Sequence, residues 1–216
     1  QKDYKEFASR VEYFHNRLDA LNINYANHLY EIEGKLVSNE SEISYQLETS
    51  SEGKDIHYTL NGSEPTINSE VYINQIPITK NTRIKAAVFD SKNKLGDMFS
   101  QDITLHKAVG KTISINKTLN KSYPGSGSDG LVNGISGSDL RYGDKEWLGF
   151  WGDDIEIVIE FDQAIEINVI KTRFHNGNGQ WIYAPTEIGF SFKLEDGKTI
   201  NDINLIKNNG ELLVDY

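Results

Sequence analysis

The first twenty residues carry an apolar pattern with a helical period. Over residues 4–21, apolar side chains recur at steps of three and four, with polar residues between them: Phe7, Val11, Phe14, Leu18 and Leu21. This spacing places all five on one face of an α-helix. We therefore expect an amphipathic helix whose apolar stripe, made of these five residues, packs on another surface.

After residue 38 the apolar period changes to two, the period of a strand with one buried face. Three runs have apolar residues at alternate positions: Ile43, Tyr45 and Leu47; Ile56, Tyr58 and Leu60; Ile84, Ala86 and Val88. Asn61-Gly62 and Pro65 supply turn signals among them. Short alternating strands with regular turns predict a small immunoglobulin- or fibronectin-like β-sandwich over residues 38–107.

A second β-rich region is expected over residues 108–216. It contains a Gly/Ser-rich loop at 123–140, and a loop of this length in a compact domain is usually functional. Alternating runs follow the loop: Ile155, Ile157, Ile159 and Phe161; Ile165, Ile167 and Val169; Ile188, Phe190, Phe192 and Leu194. This pattern predicts a jelly-roll β-sandwich. The fold class is therefore mainly β, with an N-terminal helix followed by two sandwiches.

Composition narrows the range of partners. The net charge of −10 over 216 residues would repel a phosphate backbone, and no basic stripe with interleaved aromatic residues occurs in the sequence. Nucleic acid is therefore excluded as a partner. No apolar run approaches the ~20 residues that span a bilayer, so no membrane insertion is expected. The sequence has no Cys, which excludes disulfides and thiolate metal sites.

No arrangement of residues in the sequence indicates catalysis. The five His residues lack metal-ligand spacing, and no Gly-x-Ser-x-Gly nucleophile elbow occurs. Asp153 and Asp154 are adjacent, so they would point to opposite faces of a strand and could not flank one glycosidic bond. We interpret this pair as a solvated turn and predict no catalytic residue in the sequence.

Aromatic residues carry the strongest functional signal. Sugar binding requires a flat apolar ring for the C–H face of a pyranose and polar groups for its hydroxyls. Trp181 lies in a polar run that supplies both, and the predicted carbohydrate contacts are Trp181, Arg173, His175, Asn176, Asn178 and, as a second indole, Trp151. Trp147 and Trp151 flank Leu148 and Phe150, so a packing role is the alternative for these two indoles.

Three segments have family signatures. Residues 7–19 followed by Asn22-Ile23-Asn24-Tyr25 resemble the last barrel helix and exit of family 20 β-N-acetylhexosaminidases, the chitobiases. Tyr58-Thr59-Leu60-Asn61-Gly62-Ser63-Glu64-Pro65-Thr66 resembles the signature hairpin of the chitobiase C-terminal domain, with Asn61 where Asp is usual. Residues 147–197 are similar to the discoidin, or factor 5/8 type C, sandwich that often comes next in Bacteroidetes enzymes.

The resemblance implies a secreted parent glycoside hydrolase that removes terminal N-acetylhexosamine with an Asp-Glu pair at the mouth of an (α/β)₈ barrel. Residues 1–37 would be a helical remnant of that upstream catalytic barrel, which would be a partner in cis. Residues 38–107 would be the chitobiase C-terminal sandwich, and residues 108–216 the discoidin-like jelly roll. No His-x-Gly-Gly-Asp-Glu element occurs in this sequence, so we expect a non-catalytic accessory region. Export to the periplasm, outer membrane or exterior of a bacterium is expected.

The resemblance also implies a cation site, since many discoidin domains bind structural Ca²⁺ in the loop that corresponds to 129–138. Asp129, Asn133 and Ser138 would supply oxygen ligands, which a hard cation prefers. Asn133 stands where the family commonly has Asp, and Asp215-Tyr216 stands where a Glu ligand is often found. A plain ordered loop is the alternative, and no cofactor other than Ca²⁺ is expected.

Three functions remain open at this stage. The first is tethering of the parent enzyme to glycans that bear N-acetylhexosamine or galactose, which would raise the local substrate concentration. The second is a purely structural role, in which both sandwiches pack on the catalytic barrel. The third is protein binding or adhesion at a surface, because a fold does not determine a function.

Overall fold

The structure is a computed structural model that describes residues 3–26, 28–39, 42–51, 53–91, 93–152, 154–194, 196–205 and 211–215. The protein divides into two units, residues 1–110 with 133–135 and residues 111–132 with 136–216. Both units are built mainly from antiparallel strands, and the described residues include one α-helix, at the N-terminus. The predicted fold class is confirmed. Asp153, one of the two adjacent acidic residues, lies outside the described residues.

The first unit contains the helix and seven strands. Their bounds are α1 (Tyr4–Ala20), β1 (Ile32–Ser38), β2 (Ile43–Thr49), β3 (Asp55–Thr59), β4 (Glu70–Val71), β5 (Ile76–Pro77), β6 (Thr82–Phe89) and β7 (Lys94–Ile103). One sheet has the order β1-β2-β5 and the other has the order β4-β3-β6-β7. The domain boundary expected after residue 37 falls inside β1, because this strand pairs along its whole length with β2.

Alternate residues of these strands form one apolar core between the two sheets. Tyr45 and Leu47 of β2, and Ile84 and Val88 of β6, are fully or almost fully buried, as the alternation predicts. Burial of a side chain of this size contributes about 1.5 to 3 kcal/mol to folding. Leu60 is an exception to the prediction, because β3 ends at Thr59 and the Leu60 side chain is exposed.

The turn after β3 shows why Asn61 can stand where the family usually has Asp. The Asn61 Oδ1 atom accepts hydrogen bonds from the Ser63 N–H at 3.0 Å and the Ser63 hydroxyl at 2.7 Å. The Thr59 hydroxyl donates to the Ser63 carbonyl at 2.5 Å, and Gly62 has a φ of +78°. The turn uses only a side-chain oxygen at position 61, and Asn and Asp both provide one.

The predicted helix is confirmed, and much of its apolar stripe is exposed. Phe14 is 53% exposed and Leu21 is 66% exposed, although both belong to the apolar stripe. The residues that helix α1 buries are Ala8 and His15, on the neighbouring face. The stripe is therefore only partly covered, with Val11 and Leu18 half-buried at its edge.

Polar contacts and one ring stack fix the rotation of helix α1. The Glu12 carboxylate accepts a hydrogen bond from the Tyr30 hydroxyl at 3.2 Å and pairs with the Lys54 ammonium at 2.8 Å. The His15 ring stacks on Tyr25 with 4.1 Å between the ring centroids. These groups lie on the Ala8 and His15 side of the helix, so they turn that side inward instead of the larger apolar stripe.

The second unit contains three two-stranded antiparallel ladders in its described part. They join β8 (Thr112–Ile115) with β9 (Ile157–Glu160), β10 (Val169–Arg173) with β13 (Glu211–Asp215), and β11 (Glu187–Lys193) with β12 (Thr199–Leu205). Ile165 and Ile167 precede β10 and are not part of a strand, contrary to expectation. The strands expected from the alternation around 157 and 190 are confirmed, whereas the jelly-roll arrangement stays a prediction.

The apolar face expected for β9 is exposed, whereas alternate residues of β11 are half-buried. Ile155, Ile157 and Ile159 all remain exposed, and so does Val158 on the opposite face of β9. A two-stranded ladder buries a face only where another layer packs on it, so alternation alone does not produce a core. Among the described residues, no helix is both long and apolar enough to cross a membrane.

Candidate functional site

Arg173 ends strand β10, and its guanidinium is engaged by the protein itself. It donates one hydrogen bond to the Gly137 carbonyl at 3.1 Å and another to the Asp139 carboxylate. Its Cζ atom lies 5.3 Å from the centroid of the Trp147 ring, which is a cation–π distance. Arg173 therefore contacts both the loop at 137–139 and Trp147, and its predicted contact with sugar stays a prediction.

Four rings form a continuous aromatic row beside Arg173. Its members are Trp147, His175, Tyr142 and Tyr123, with successive centroid distances of 5.5, 6.1 and 5.9 Å. The Trp147 indole N–H donates to the Ser138 carbonyl at 2.9 Å, which fixes the ring at one end of the row. The sequence did not reveal Tyr123 and Tyr142, because they lie in a long loop without periodicity.

The Trp181 loop, residues 176–182, is closed by its own backbone. The Gly177 N–H donates to the Ile182 carbonyl at 3.0 Å, and the Ile182 N–H donates back to the Gly177 carbonyl at 3.2 Å. Between them lies a 3₁₀ turn at Asn178–Gln180, and the Trp181 N–H donates to the Asn178 carbonyl at 3.1 Å. Trp181 at the tip is 86% exposed, and the side chains of Asn176 and Asn178 are exposed beside it.

The backbone of Trp181 is strained. Its φ is +61°, in the left-handed region, and among the described residues the only other non-glycine residue with positive φ is Asn22. This conformation costs an L-residue with a Cβ atom about 1 to 2 kcal/mol, so stability alone favours Gly at position 181. A large indole held there without packing makes Trp181 a candidate functional residue.

His175 connects the aromatic row to the base of the Trp181 loop. A Cβ atom added at Gly177 would lie 3.3 Å from the His175 Nε2 atom, so the two residues are in close contact. The structure therefore brings together five of the six predicted carbohydrate contacts in two neighbouring features. His175 and Arg173 belong to or flank the aromatic row, and Asn176, Asn178 and Trp181 belong to the loop.

Trp151 and Trp147 have different environments. Trp151 is 86% exposed and precedes Gly152, which has a φ of +66°, so the packing role considered for Trp151 is wrong. Trp147 is half-buried by Gly137, His175 and Arg173, in agreement with packing. The ring contacts of the described residues do not include Trp151, so this indole is separate from the aromatic row.

Two of the three residues expected to bind Ca²⁺ accept hydrogen bonds from the protein through their side-chain oxygens. Asn133 Oδ1 accepts from the Ile135 N–H at 2.9 Å, and Ser138 Oγ accepts from the Leu140 N–H at 3.1 Å. Asp129 lies in a 3₁₀ turn at Ser128–Val132. Within the described ranges, no three His, Asp or Glu side chains group in a way that could hold a metal ion. Two of the expected ligand oxygens are therefore engaged by backbone N–H groups, and Ca²⁺ binding stays a prediction.

The sandwich of the first unit has a recognisable family. Residues 37–100 match the family model described as the chitobiase/beta-hexosaminidase C-terminal domain. This range runs from the end of β1 through most of β7 and includes the Asn61 turn. No curated protein matches the sequence. The matched range thus covers less than a third of the 216 residues, and the candidate site in the second unit lies outside it.

Polar residues of the first unit have structural partners within its sandwich. His57 is buried, and its Nδ1 atom is 2.9 Å from the Ser69 carbonyl oxygen. Burial, with a hydrogen bond to Glu70, raises the pKa of Tyr58 to about 12. The hydrogen bond from Arg83 lowers the pKa of Asp102 on the surface of the paired strands β6 and β7. Each of these groups has a structural partner within the first unit.

Proposed function

We propose that this protein is a non-catalytic accessory region of a β-N-acetylhexosaminidase and that its second unit binds carbohydrate through Trp181. The match of residues 37–100 to the chitobiase/beta-hexosaminidase C-terminal domain supports the first part. One observation carries the second part: an indole that is 86% exposed is held at a φ of +61° on a loop closed by hydrogen bonds.

The chemistry around Trp181 suits a sugar ring. The indole offers a flat apolar face for pyranose C–H groups, and the exposed amides of Asn176 and Asn178 can exchange hydrogen bonds with hydroxyl or N-acetyl groups. The proposed ligands are glycans that bear terminal N-acetylhexosamine or galactose. Arg173 acts indirectly in this proposal, since it holds the loop at 137–139 and Trp147 in place.

A single exposed platform supports weak binding. We expect a Kd of roughly 0.1 to 1 mM, which corresponds to about −4 to −5.5 kcal/mol. Weak binding is sufficient for tethering, because a linked enzyme then meets its substrate at a raised effective concentration. The same proposal includes a parent enzyme whose catalytic barrel is a partner in cis. It also places that enzyme outside the bacterial cytoplasm.

Trp181→Gly is the most informative variant for this proposal. Glycine relieves the left-handed backbone strain, so the free energy of unfolding is expected to rise by about 1 kcal/mol while glycan binding is lost. Glycan arrays would identify a ligand, calorimetry would measure its affinity, and urea unfolding would measure stability. Trp151→Ala is the matched control, because Trp151 is equally exposed, and this variant is expected to bind like the parent protein.

A Trp181→Gly protein that binds glycan with unchanged affinity would refute the role of the indole. If the unsubstituted protein binds no glycan, the result would favour a purely structural role, in which the protein packs on a catalytic barrel. Phe14 and Leu21, exposed on helix α1, support that role, since they would be covered if the helix packed on another domain.

A further inference from the structure

Four Asn-Gly dipeptides occur among the described residues: Asn61-Gly62, Asn133-Gly134, Asn176-Gly177 and Asn178-Gly179. Asn followed by Gly is the sequence most open to deamidation, because no side chain shields the glycine nitrogen. The reaction needs a free glycine N–H and an Asn side chain that can turn towards it. The structure therefore decides which of these dipeptides reacts.

Deamidation needs water and no other reactant. The glycine nitrogen attacks the Asn Cγ atom and loses its proton, a N–Cγ bond forms, and the bond between Cγ and Nδ2 breaks. The Nδ2 nitrogen leaves as ammonia, and a five-membered succinimide remains. Water then opens either carbonyl of the ring and leaves a normal or an iso-linked aspartate. In total, one water is consumed and one ammonia is released.

Hydrogen bonds protect three of the four dipeptides. The Gly62 N–H donates to the Arg83 carbonyl at 3.1 Å, and the Asn61 side-chain oxygen accepts two further bonds. The Gly177 N–H donates to the Ile182 carbonyl at 3.0 Å. At the remaining dipeptide, the Asn133 side chain is held by the Ile135 N–H at 2.9 Å. In each case a reacting group must first lose a hydrogen bond.

Asn178-Gly179 has none of these restraints. Asn178 is exposed, and no described residue forms a hydrogen bond with its side chain or with the Gly179 N–H. A Cβ atom added at Gly179 would meet nothing within 4 Å, so the space around the nitrogen is open. The surrounding 3₁₀ turn is three residues long, and a turn this short opens at small cost.

We propose that Asn178 is a site of spontaneous deamidation that alters the Trp181 loop. The product adds a negative charge to the loop, in a protein whose net charge is already −10. The iso-linked form also lengthens the main chain by one atom and converts the Asn178 main-chain carbonyl, which accepts the Trp181 N–H, into a free carboxylate. The first change alters the charge around the exposed indole, and the second alters the backbone that positions it. The chemistry proceeds whether or not the loop binds sugar, so the two proposals fail separately.

The test is a time course of the purified protein at mildly alkaline pH and physiological temperature. Peptide mapping by mass spectrometry, with enzymatic labelling of iso-aspartate, would follow each dipeptide. Conversion at Asn178 is expected on the order of tenfold faster than at Asn61, given the bonds that must break at Asn61. Fragmentation of the shared peptide would separate Asn178 from Asn176. Asn209-Gly210 lies outside the described residues and would be measured separately.

Two controls separate structure from sequence. Gly179→Ala fits the open space at 179 and is expected to slow conversion at Asn178 several-fold without changing stability. In concentrated urea, the rates at Asn61, Asn133 and Asn178 are expected to become similar. Folded-state conversion at Asn61 or Asn133 as fast as at Asn178 would overturn the proposal. An unchanged rate in Gly179→Ala, or a ranking that persists in urea, would also overturn it.

Discussion

Strands β6 and β9 belong to different units and show how differently the same pattern can be used. Ile84 and Val88 of β6 have 0% exposure, whereas Ile157 and Ile159 of β9 are 40% and 38% exposed. Strand β6 lies between two other strands in a four-stranded sheet, and that sheet shares its core with a second sheet. Strand β9 pairs with β8 in a two-stranded ladder. The alternation of apolar residues determines which face of a strand they occupy. A buried core forms only where a second layer packs on that face.

The two units therefore rely on different interactions in their described parts. The first unit is stabilised by a continuous apolar core. In the second unit, hydrogen bonds and ring contacts join Arg173, Trp147, His175 and Ser138 in a polar and aromatic network. Hydrophobic burial grows with the area covered, whereas such a network depends on a few specific contacts.

Truncation of one isoleucine in each unit tests this contrast most strongly. Ile84→Ala removes a fully buried side chain and is expected to cost about 3 kcal/mol, whereas Ile159→Ala should cost less than about 1 kcal/mol. Urea unfolding followed by circular dichroism would measure both. All three Trp residues lie in the second unit, so Trp emission reports on that unit alone. Equal losses would show that β9 is as well packed as β6.

Alkaline pH should weaken the first unit. Burial raises the pKa of Tyr30, beside Glu12, and of Tyr58, beside Glu70, to about 12 from the ordinary 10.0. The folded state keeps these protons longer than the unfolded state, so the stability they contribute is complete below pH 10 and is lost as the pH rises towards 12. With solvent screening at the hydroxyls, we expect a loss of about 1 to 2 kcal/mol.

Tyr58→Phe is the control for this effect. The variant lacks one of the two titrating groups, so its stability should fall less steeply above pH 10 than that of the parent protein. Urea midpoints measured across this pH range would show the difference. Parallel curves for the two proteins would exclude Tyr58 as a source of the alkaline loss.

Arg173→Lys should produce the smallest of these effects, and it tests the network of the second unit. Lysine cannot contact Gly137, Asp139 and the Trp147 face at once, so a loss of about 1 kcal/mol is expected. Thermal unfolding followed by Trp emission would detect it. Arg141→Lys is the matched control, since Arg141 pairs with Asp144 while largely exposed, and little change is expected there. If both variants melt alike, Arg173 does not hold the loop.

The sequence predicted strands reliably because alternation is a local property. Burial depends on which elements pack on a strand, so the burial of Tyr45 was predicted correctly and that of Ile159 was not. The helix illustrates the same limit. Its apolar period correctly predicted a helix. The face that packs inward is set by contacts of Glu12 with Tyr30 and Lys54, which are distant in sequence.

The sequence predicted only those parts of the candidate site whose residues are close together in the chain. Trp181 and the Asn residues beside it are neighbours in sequence, so composition alone revealed them. Tyr123 and Tyr142 joined the aromatic row only through the path of a long loop. The contact between Arg173 and Asp139 could not be found from the sequence, because the two residues are 34 positions apart.

The Trp181 loop has a property that bears on how binding preference could evolve. Its ends are joined by main-chain hydrogen bonds between Gly177 and Ile182, so closure does not depend on the side chains at the tip. Substitutions at residues 178–181 can therefore change the exposed side chains while the width of the loop is preserved. This separation of scaffold from specificity resembles the hypervariable loops of antibodies. The same closure makes the loop a suitable place to graft a different recognition sequence.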